Sequence, residues 1–365
     1  MTLQGEVLLE GPRGRRLCLE LAMELNQDIR TAVFWLGYEL DSGRGTSRVL
    51  LTMVSGEDSV ADQAAASNSG TSEDQLAAAL TALDSTSLSD SSSLSGTMIQ
   101  LALERSVDTA RYWQPPDGED VLAALPAVRA ALLPLADRVL RAPGVQWWDE
   151  GRAVEQWAID WRPADDPAPL PGNLRQALSS WGRNERAEEA RAALDRPSDP
   201  HAPVSGWWWS FQRGLLRSVG HLPAGLGLVE DSLGWLEATA IPVRGTGRTL
   251  EIRTPEDWTE LCRRFPLEVT ASRRHDWFNT TGRDGRWVIP DWEQAAAEWD
   301  AVHLTVLGYL RGAGRALQVD TGTATVIAGW DPDCTIWLTD GVREREGPRQ
   351  AWQRAGQGEP WNRVP

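Results

Sequence analysis

The sequence predicts an α+β fold in two parts: a mainly helical N-terminal domain and a C-terminal mixed α/β domain with about six strands. Three observations support this prediction. The first 112 residues contain one of the 20 tryptophans, apolar residues in that part recur at helical spacing, and short apolar runs alternate with capped helices after residue 205. A change of period along one chain indicates two different architectures.

The N-terminal domain, residues 1–161, is predicted from helical periodicity. A short strand at 6–9 precedes a run whose leucines recur every four residues, which is typical of an amphipathic helix. A long helix is predicted at 97–112. Pro126 and Pro134 then break or bend the next helical run, because proline lacks the amide donor and its ring clashes with the preceding turn.

A Ser-rich loop is predicted at about 55–97, with one helix at 72–83 attached to it. Residues 84–96 should be mobile, because a run of serines buries too little apolar surface to offset the entropy lost on ordering. A Pro-rich linker and a solvated, highly charged helix follow at 162–204.

The C-terminal domain is predicted at 205–341, followed by a flexible, charged tail at 342–365. Thr254 followed by Pro255 marks the start of a helix over 254–264, and a second capped helix is predicted at 291–299. A hairpin is expected around residue 233. Further strands are predicted in the segments RTLEIR, AVHLTV, TATVIAGW and CTIWL.

The basic residues exclude several kinds of chemistry. All 36 are arginine, so the chain has no lysine for a Schiff base, a P-loop or a kinase-type phosphate contact. A net charge of −16 disfavours extended nucleic-acid binding, but a local arginine cluster could still hold a small anionic ligand. No apolar run approaches the ~20 residues of a membrane span, so no membrane partner is expected. Three scattered cysteines favour the cytoplasm.

Strong catalytic or metal-binding signatures are absent from the sequence. There is no HExxH, no CxxC pair, no nucleophile elbow and no complete GxGxxG, so no metal site is predicted. The four histidines (His201, His221, His275, His303) have no metal-ligand spacing. A Ser-His-Asp triad stays open, since its members need not be neighbours in sequence.

The stretch RRHDWFNTTGRDGRW, residues 273–287, is the main candidate for a binding site. Six arginines fall between residues 263 and 286 against three acids, a local reversal of sign in an acidic chain. Guanidinium groups beside aromatic rings suit a phosphate and a base, and turn residues predict that much of the stretch is loop. The candidates are Arg273, Arg274, Arg283 and Arg286 for the anion, with His275, Trp277 and Asn279 beside them. Alternatively, these arginines pair with acids elsewhere in the chain.

A second constellation lies in WDAVHLTVLGYL, where His303 and Thr305 would share one face of a strand. The strand VHLT and the glycine-containing turn after it resemble the middle strand of ADP-ribosyltransferase-like folds, over about residues 235–340. The resemblance implies that Arg253 holds NAD, that Thr305 lies on the middle strand and that Asp333 is the catalytic acid. The acid is Asp rather than Glu, and the middle strand lacks the Ser-Thr-Ser form. As a whole the chain also resembles proteins of GC-rich actinobacteria.

Two functions therefore stay open. One is a transferase or hydrolase that binds NAD or another nucleotide in a cleft of the C-terminal domain, with Asp333, Thr305, His303 and His275 as catalytic candidates. The other is a non-catalytic module that binds a protein partner through an acidic, Trp-rich surface. The polar face of the strand at His303 could equally pair with its neighbours, and Asp331-Pro332-Asp333 could be a turn.

Overall fold

The computed structural model describes residues 4–43, 72–86, 94–162 and 165–364. Most of the predicted Ser-rich loop, including the centre of the run at 84–96, lies outside these ranges. The chain divides into two compact units, Met1–Ala102 with Pro115–Val145, and Leu103–Gln114 with Gln146–Pro365. The fold is α+β, as predicted, with the strands in the second unit. Residues 146–161, assigned from the sequence to the helical domain, belong to the strand-rich unit.

The first unit is helical. Its helices are α1 (Gly5–Leu8), α2 (Pro12–Leu25), α3 (Gln27–Leu40), α4 (Glu73–Thr86), α6 (Gly118–Ala124) and α7 (Pro126–Arg141), while α5 (Gly96–Asp108) contains the boundary at 102/103. The predicted strand at 6–9 is wrong, because this segment forms α1. Pro126 occupies the first turn of α7, where a missing amide costs nothing, and Pro134 lies within the same helix.

One arginine organises the charged side of this unit. Arg16, on α2, is 4% exposed, and its Nη1 donates to Asp117 Oδ1 at 2.9 Å while its Nε donates to Glu20 Oε1 at 2.7 Å. Glu119 and Asp120 complete the ring of acids around the guanidinium. Asp117 also caps α6 by accepting from the Asp120 amide at 2.8 Å, so one carboxylate both starts the helix and binds Arg16.

The second unit contains helices and all of the strands described. Its helices are α8 (Leu174–Asp195), α9 (Ala224–Gly227), α10 (Pro255–Arg264), α11 (Thr270–Thr281), α12 (Trp292–Ala295) and α13 (Val306–Gly312), with a 3₁₀ turn at Gln146–Asp149. Helix α10 is confirmed: Thr254 and Asp257 form a reciprocal capping box. None of the helices described combines the length and the apolar composition needed to cross a membrane.

The strands of this unit form two sheets. They are β1 (Glu155–Asp160), β2 (Arg217–Val219), β3 (Glu237–Gly245), β4 (Thr249–Ile252), β5 (Pro266–Glu268), β6 (Arg286–Pro290), β7 (Ala301–Leu304), β8 (Leu317–Asp320), β9 (Thr323–Thr325), β10 (Cys334–Trp337), β11 (Val342–Glu344), β12 (Gln350–Gln353) and β13 (Asn362–Arg363). The larger sheet has the order β13-β12-β3-β1-β2-β10-β7-β4, with β11 also on β3, and the smaller has the order β5-β6-β9-β8. Four of these strands, β2, β10, β7 and β4, position the candidate site.

Two predicted features differ from the structure. The segment 342–365, predicted as a flexible tail, contributes β11, β12 and β13 to the larger sheet, because its backbone pairs along β3 and Trp361 is buried. The hairpin expected around residue 233 is absent from the described chain: β3 begins at Glu237 and pairs with β1 from far earlier in the sequence.

The stretch 273–287 is another difference. It was predicted to be mostly loop, but residues up to Thr281 form α11, and β6 begins at Arg286. Helix α11 ends at Gly282, which adopts a left-handed conformation (φ 70°) that favours glycine. Arg273 on this helix is 1% exposed and pairs with the equally buried Glu185 of α8 at 2.6 Å, so it joins two helices.

This buried pair generates a stability prediction. Arg273→Ala should lower the free energy of unfolding by about 3–5 kcal/mol, because the Glu185 carboxylate would stay buried without its partner. The neighbouring Arg274, whose Nη1 donates to the Ser198 carbonyl at 2.8 Å, gives the matched control. Arg274→Ala should cost less than about 1 kcal/mol. Urea unfolding of the two variants tests this, and equal losses would contradict the assigned role of Arg273.

Candidate functional site

A row of polar side chains crosses the larger sheet. Glu251 on β4 pairs in register with His303 on β7, His303 pairs with Thr335 on β10, and Thr335 pairs with Ser218 on β2. Residues in register across neighbouring strands point to the same face, so the four side chains form one line. Gln156 on β1 closes the line: its Nε2 donates to Thr335 Oγ1 at 3.0 Å, and its Oε1 accepts from Ser218 at 2.5 Å.

His303 lies between two carboxylates. Its Nδ1 is 2.7 Å from Glu251 Oε2 and its Nε2 is 3.4 Å from Asp333 Oδ1, while the ring itself has no exposed surface. Both ring nitrogens therefore face acceptors, an arrangement that suits the doubly protonated imidazolium. The contact with Glu251 is a good hydrogen bond, and the longer one with Asp333 is an ion-pair distance.

Asp333 is the centre of the site. Its Oδ2 accepts from the amides of Gly220 (3.1 Å) and His221 (3.0 Å) and lies 3.1 Å from His221 Nδ1. The antiparallel pairing of β2 with β10 brings the residues after β2 next to the residue before β10. Asp333 has φ 53°, a left-handed conformation that aspartate tolerates better than most residues but that still costs about 1–3 kcal/mol. Such strain is frequent at functional positions.

His221 is the solvent-facing end of the network. Its side chain is 31% exposed, the Trp147 ring lies 4.4 Å from its imidazole, and its Nε2 is 3.9 Å from Glu150 Oε2. Because Nδ1 is held by Asp333, the Nε2 atom is the one directed away from the buried network. The order along the network is therefore Glu251, His303, Asp333, His221, with the two end side chains 25% and 31% exposed and the two central ones buried.

The segment after the 3₁₀ turn covers this face of the sheet. The Arg152 amide donates to Glu251 Oε1 at 3.0 Å, its Nε donates to Thr249 Oγ1 at 2.8 Å, and its guanidinium lies 5.1 Å from the centre of the Trp337 ring. Arg152 thereby holds the Glu251 carboxylate from the side opposite His303. A Cβ at Gly220 would lie 3.2 Å from the Ala153 Cβ and 3.3 Å from Asp333 Oδ1, so the close approach there favours glycine.

The electrostatics of the network favour charged forms of its members. Burial lowers the pKa of His303, but the bonds with Asp333 and Glu251 outweigh burial and raise the pKa overall. The hydrogen bond with Asp333 raises the pKa of His221, with partial burial opposing and Glu150 assisting. Burial raises the pKa of Asp333, yet the two imidazoles bring it below its ordinary value. The pKa of Glu251 is likewise lowered, since His303 and the Arg152 amide outweigh burial.

Two of the four catalytic candidates, His303 and Asp333, do lie together. Thr305 does not join them: its buried hydroxyl caps α13, accepting from the Gly308 amide at 3.0 Å and donating to the Ile252 carbonyl at 3.3 Å. His275 lies on α11, where burial and the guanidinium groups of Arg274 and Arg196 lower its pKa.

The residues to which the resemblance assigns NAD binding have bonding partners within the chain. The guanidinium of Arg253 bonds to the carbonyl of Asp149 and lies 3.6 Å from its carboxylate. The Thr305 hydroxyl caps a helix. The Asp333 carboxylate accepts from two amides and lies 3.1 Å from His221 Nδ1, with His303 at an ion-pair distance.

The four arginines of 273–287 each bond to a different part of the chain. Arg273 is paired with Glu185 and Arg286 with Glu268, whereas Arg274 and Arg283 donate to backbone carbonyls. Trp277 is fully buried, with its indole N–H donating to the Trp208 carbonyl at 2.9 Å. Asn279 donates to the Trp113 carbonyl at 3.5 Å. These contacts stabilise the fold and give no support to an anion site on this stretch.

Sequence reasoning missed His221, Glu251 and the covering Arg152. Glu251 is two positions before Arg253 in the predicted strand RTLEIR, so alternation alone places it on the polar face. His221 directly follows Gly220 after the short strand β2, and nothing in the sequence shows that β2 pairs with β10. The missing information was the strand order.

The network predicts how stability depends on pH. The two histidines, whose pKa is raised on folding, stabilise the fold fully below about pH 6.5, and this contribution is lost as the pH rises through their folded pKa. The two carboxylates, whose pKa is lowered, contribute above about pH 4.3 and lose that contribution in more acidic solution. The free energy of unfolding from urea titrations should therefore fall as the pH rises above about 6.5, and His303→Gln should flatten that fall.

His201→Gln is the control for this experiment, because His201 is an exposed histidine outside the network. It should keep the wild-type pH dependence. An unchanged slope in His303→Gln would show that the buried imidazole is neutral in the native protein, against the charged form assigned to it.

Comparison with known proteins gives no indication of the function. No protein-family model, no curated protein and no solved structure matches the chain. Within the described ranges, no group of three or more His, Cys, Asp or Glu side chains has the arrangement of a metal site. The function is therefore argued from the geometry around Asp333.

Proposed function

We propose that this protein is an enzyme, a hydrolase or transferase, in which His221 acts as general acid–base and Asp333 orients it. The observation that carries the proposal is the different surroundings of the two ring nitrogens of His221. Its Nδ1 is fixed 3.1 Å from the buried Asp333 carboxylate, while the rest of the side chain reaches solvent. An imidazole whose inner nitrogen bonds to a buried carboxylate is the arrangement that general-base catalysis requires.

The proposed chemistry is a proton transfer at Nε2. With the Nδ1 proton donated to Asp333, the Nε2 lone pair can take a proton from a nucleophile such as water and later return it to a leaving group. Asp333 fixes the tautomer and stabilises the imidazolium that forms, without taking the proton itself. His303 supports this role, because its positive charge keeps Asp333 ionised despite burial.

The raised pKa of His221 fits this role. The hydrogen bond with Asp333 raises the pKa above its ordinary value of about 6.5, so the imidazolium formed by accepting a proton is stabilised. Glu150 Oε2, 3.9 Å from Nε2, adds to the raised pKa and would also favour a positive charge on the ring.

The three cysteines are free and buried, which supports the cytoplasmic setting expected from their number.

The test is turnover of chromogenic substrates: p-nitrophenyl esters, phosphates and glycosides, with NAD hydrolysis measured alongside. Wild-type activity on at least one class should fall about 10²–10⁴-fold in kcat in His221→Asn, the usual contribution of a general acid–base. The variant should melt slightly below the wild type, because the buried Asp333 carboxylate loses a charged partner, but it should stay folded at the assay temperature. The wild-type kcat/KM should rise with pH through the pKa of His221, and this dependence should be absent from the variant.

Asp333→Asn and His201→Asn complete the experiment. Asp333→Asn should lose activity because the amide cannot stabilise the imidazolium, whereas His201→Asn, at an exposed histidine, should be fully active. Absence of turnover on every class, or turnover that survives His221→Asn, would overturn the proposal.

A further inference from the structure

A second concave feature lies over β1, β2 and β10, formed by residues that the acid–base network does not use. We call it the aromatic groove, and define it by Trp161, Trp208, Trp209, Phe211, Leu233 and Trp235. Its volume is about 270 Å³. Ligand sites for drug-sized molecules are about 300–1,000 Å³, so this groove suits a ligand of one or two rings. His221 and Asp333 do not line it.

The indoles of the groove are arranged in stacked pairs. Trp161 and Trp235 are nearly parallel, with ring centres 4.9 Å apart, and Trp208 and Trp209 are stacked at 4.5 Å. Among the described residues, Trp161 is the ring that stacks on Trp235, and it covers one face. The stack fixes the orientation of Trp235, which lines the groove, so this half-buried ring is a rigid platform before any ligand binds.

Three carboxylates line the groove, those of Glu230, Asp231 and Asp331, and two of them lie close to arginines. Arg217 lies 3.2 Å from Asp331, and Arg111 lies 3.3 Å from Asp231. Arg213 is exposed, and its guanidinium lies 4.3 Å from the centre of the Trp209 ring. A phosphate would meet the carboxylates of Asp231 and Asp331, and an ammonium group would meet the guanidinium groups. With Arg111 counted beside Asp231, three guanidinium groups balance the three carboxylates, so neither sign is favoured, and hydrogen-bond donors and acceptors stand on the rim.

An uncharged ligand with one apolar face and many hydroxyl groups fits this combination. The C–H groups of a pyranose ring pack on the negative face of an indole, while its hydroxyls need carboxylate acceptors and guanidinium donors around the edge. Two exposed leucines lie close to Trp235 in the sequence, just before β3: Leu233 is 78% exposed and Leu236 is 43% exposed. Exposed apolar groups beside a concave aromatic surface are a feature of binding sites.

We propose that the aromatic groove binds a neutral saccharide of one or two rings, stacked on the indole of Trp235. The carboxylates of Asp231 and Asp331 and the guanidinium groups of Arg213 and Arg217 lie around the groove to hydrogen-bond the hydroxyls. This site is separate from the network at Asp333, and its test does not depend on any catalytic activity.

The experiment is binding of the full chain to an array of neutral hexoses, pentoses, N-acetylhexosamines and their disaccharides. Hits are followed by isothermal titration, and AMP and the peptide Gly-Arg-Gly serve as the anionic and cationic probes. At least one neutral saccharide should bind, and Trp235→Ala should weaken its Kd by tenfold or more because the stacking platform is gone. AMP and Gly-Arg-Gly should bind more weakly than the saccharide.

Two further variants keep the test decisive if Trp235→Ala fails to fold. Leu233→Arg changes an exposed side chain and should weaken saccharide binding at least tenfold by filling the groove, with an unchanged melting temperature. Trp299→Ala removes a half-buried tryptophan outside the groove, which also lies near an arginine, and should bind normally. No saccharide binding at millimolar concentration, tighter binding of AMP or the peptide, or saccharide binding that survives both groove variants would overturn the proposal.

Discussion

The carboxylate of Asp333, shared by two imidazole rings and two backbone amides, is the interaction on which the rest of the site depends. It joins the end of β2 to the start of β10, and it sets the orientation of His221 on one side and the charge of His303 on the other. A buried carboxylate is costly unless it is paired and hydrogen-bonded. Here the pairing is complete, and His221, which completes it, is also the residue that reaches solvent.

The sequence predicted the fold class and several of its elements from local signals. The capping box at Thr254 and Asp257 starts α10 where expected, and the segments around His303 and Cys334 form strands. It failed where pairing over long distances decides the structure. The segment after Val342 looks like a charged tail, and it becomes ordered because its backbone adds strands to β3. Composition indicates which segments can bury apolar surface, but it does not indicate which edge of a sheet is free to receive them.

The candidate site was half predictable for the same reason. His303 and Asp333 could be identified because each lies at the end of, or within, a recognisable strand. His221 and Glu251 belong to the site only through the order β2-β10-β7-β4, which places four distant segments side by side. The arginine stretch shows the complementary limit: a local excess of positive charge in the sequence does not reveal which acids pair with it from distant parts of the chain. Glu185, 88 positions before Arg273, neutralises its most buried member.

The protonation state of the two imidazoles tests the central claim most directly. Imidazole ¹⁵N chemical shifts at pH 7, assigned by comparison with His303→Gln and His221→Asn, report which ring nitrogens carry a proton. The account predicts that both nitrogens of His303 are protonated, because each faces a carboxylate, and that His221 carries its proton on Nδ1 whenever it is neutral. A neutral His303, or a neutral His221 with its proton on Nε2, would contradict it.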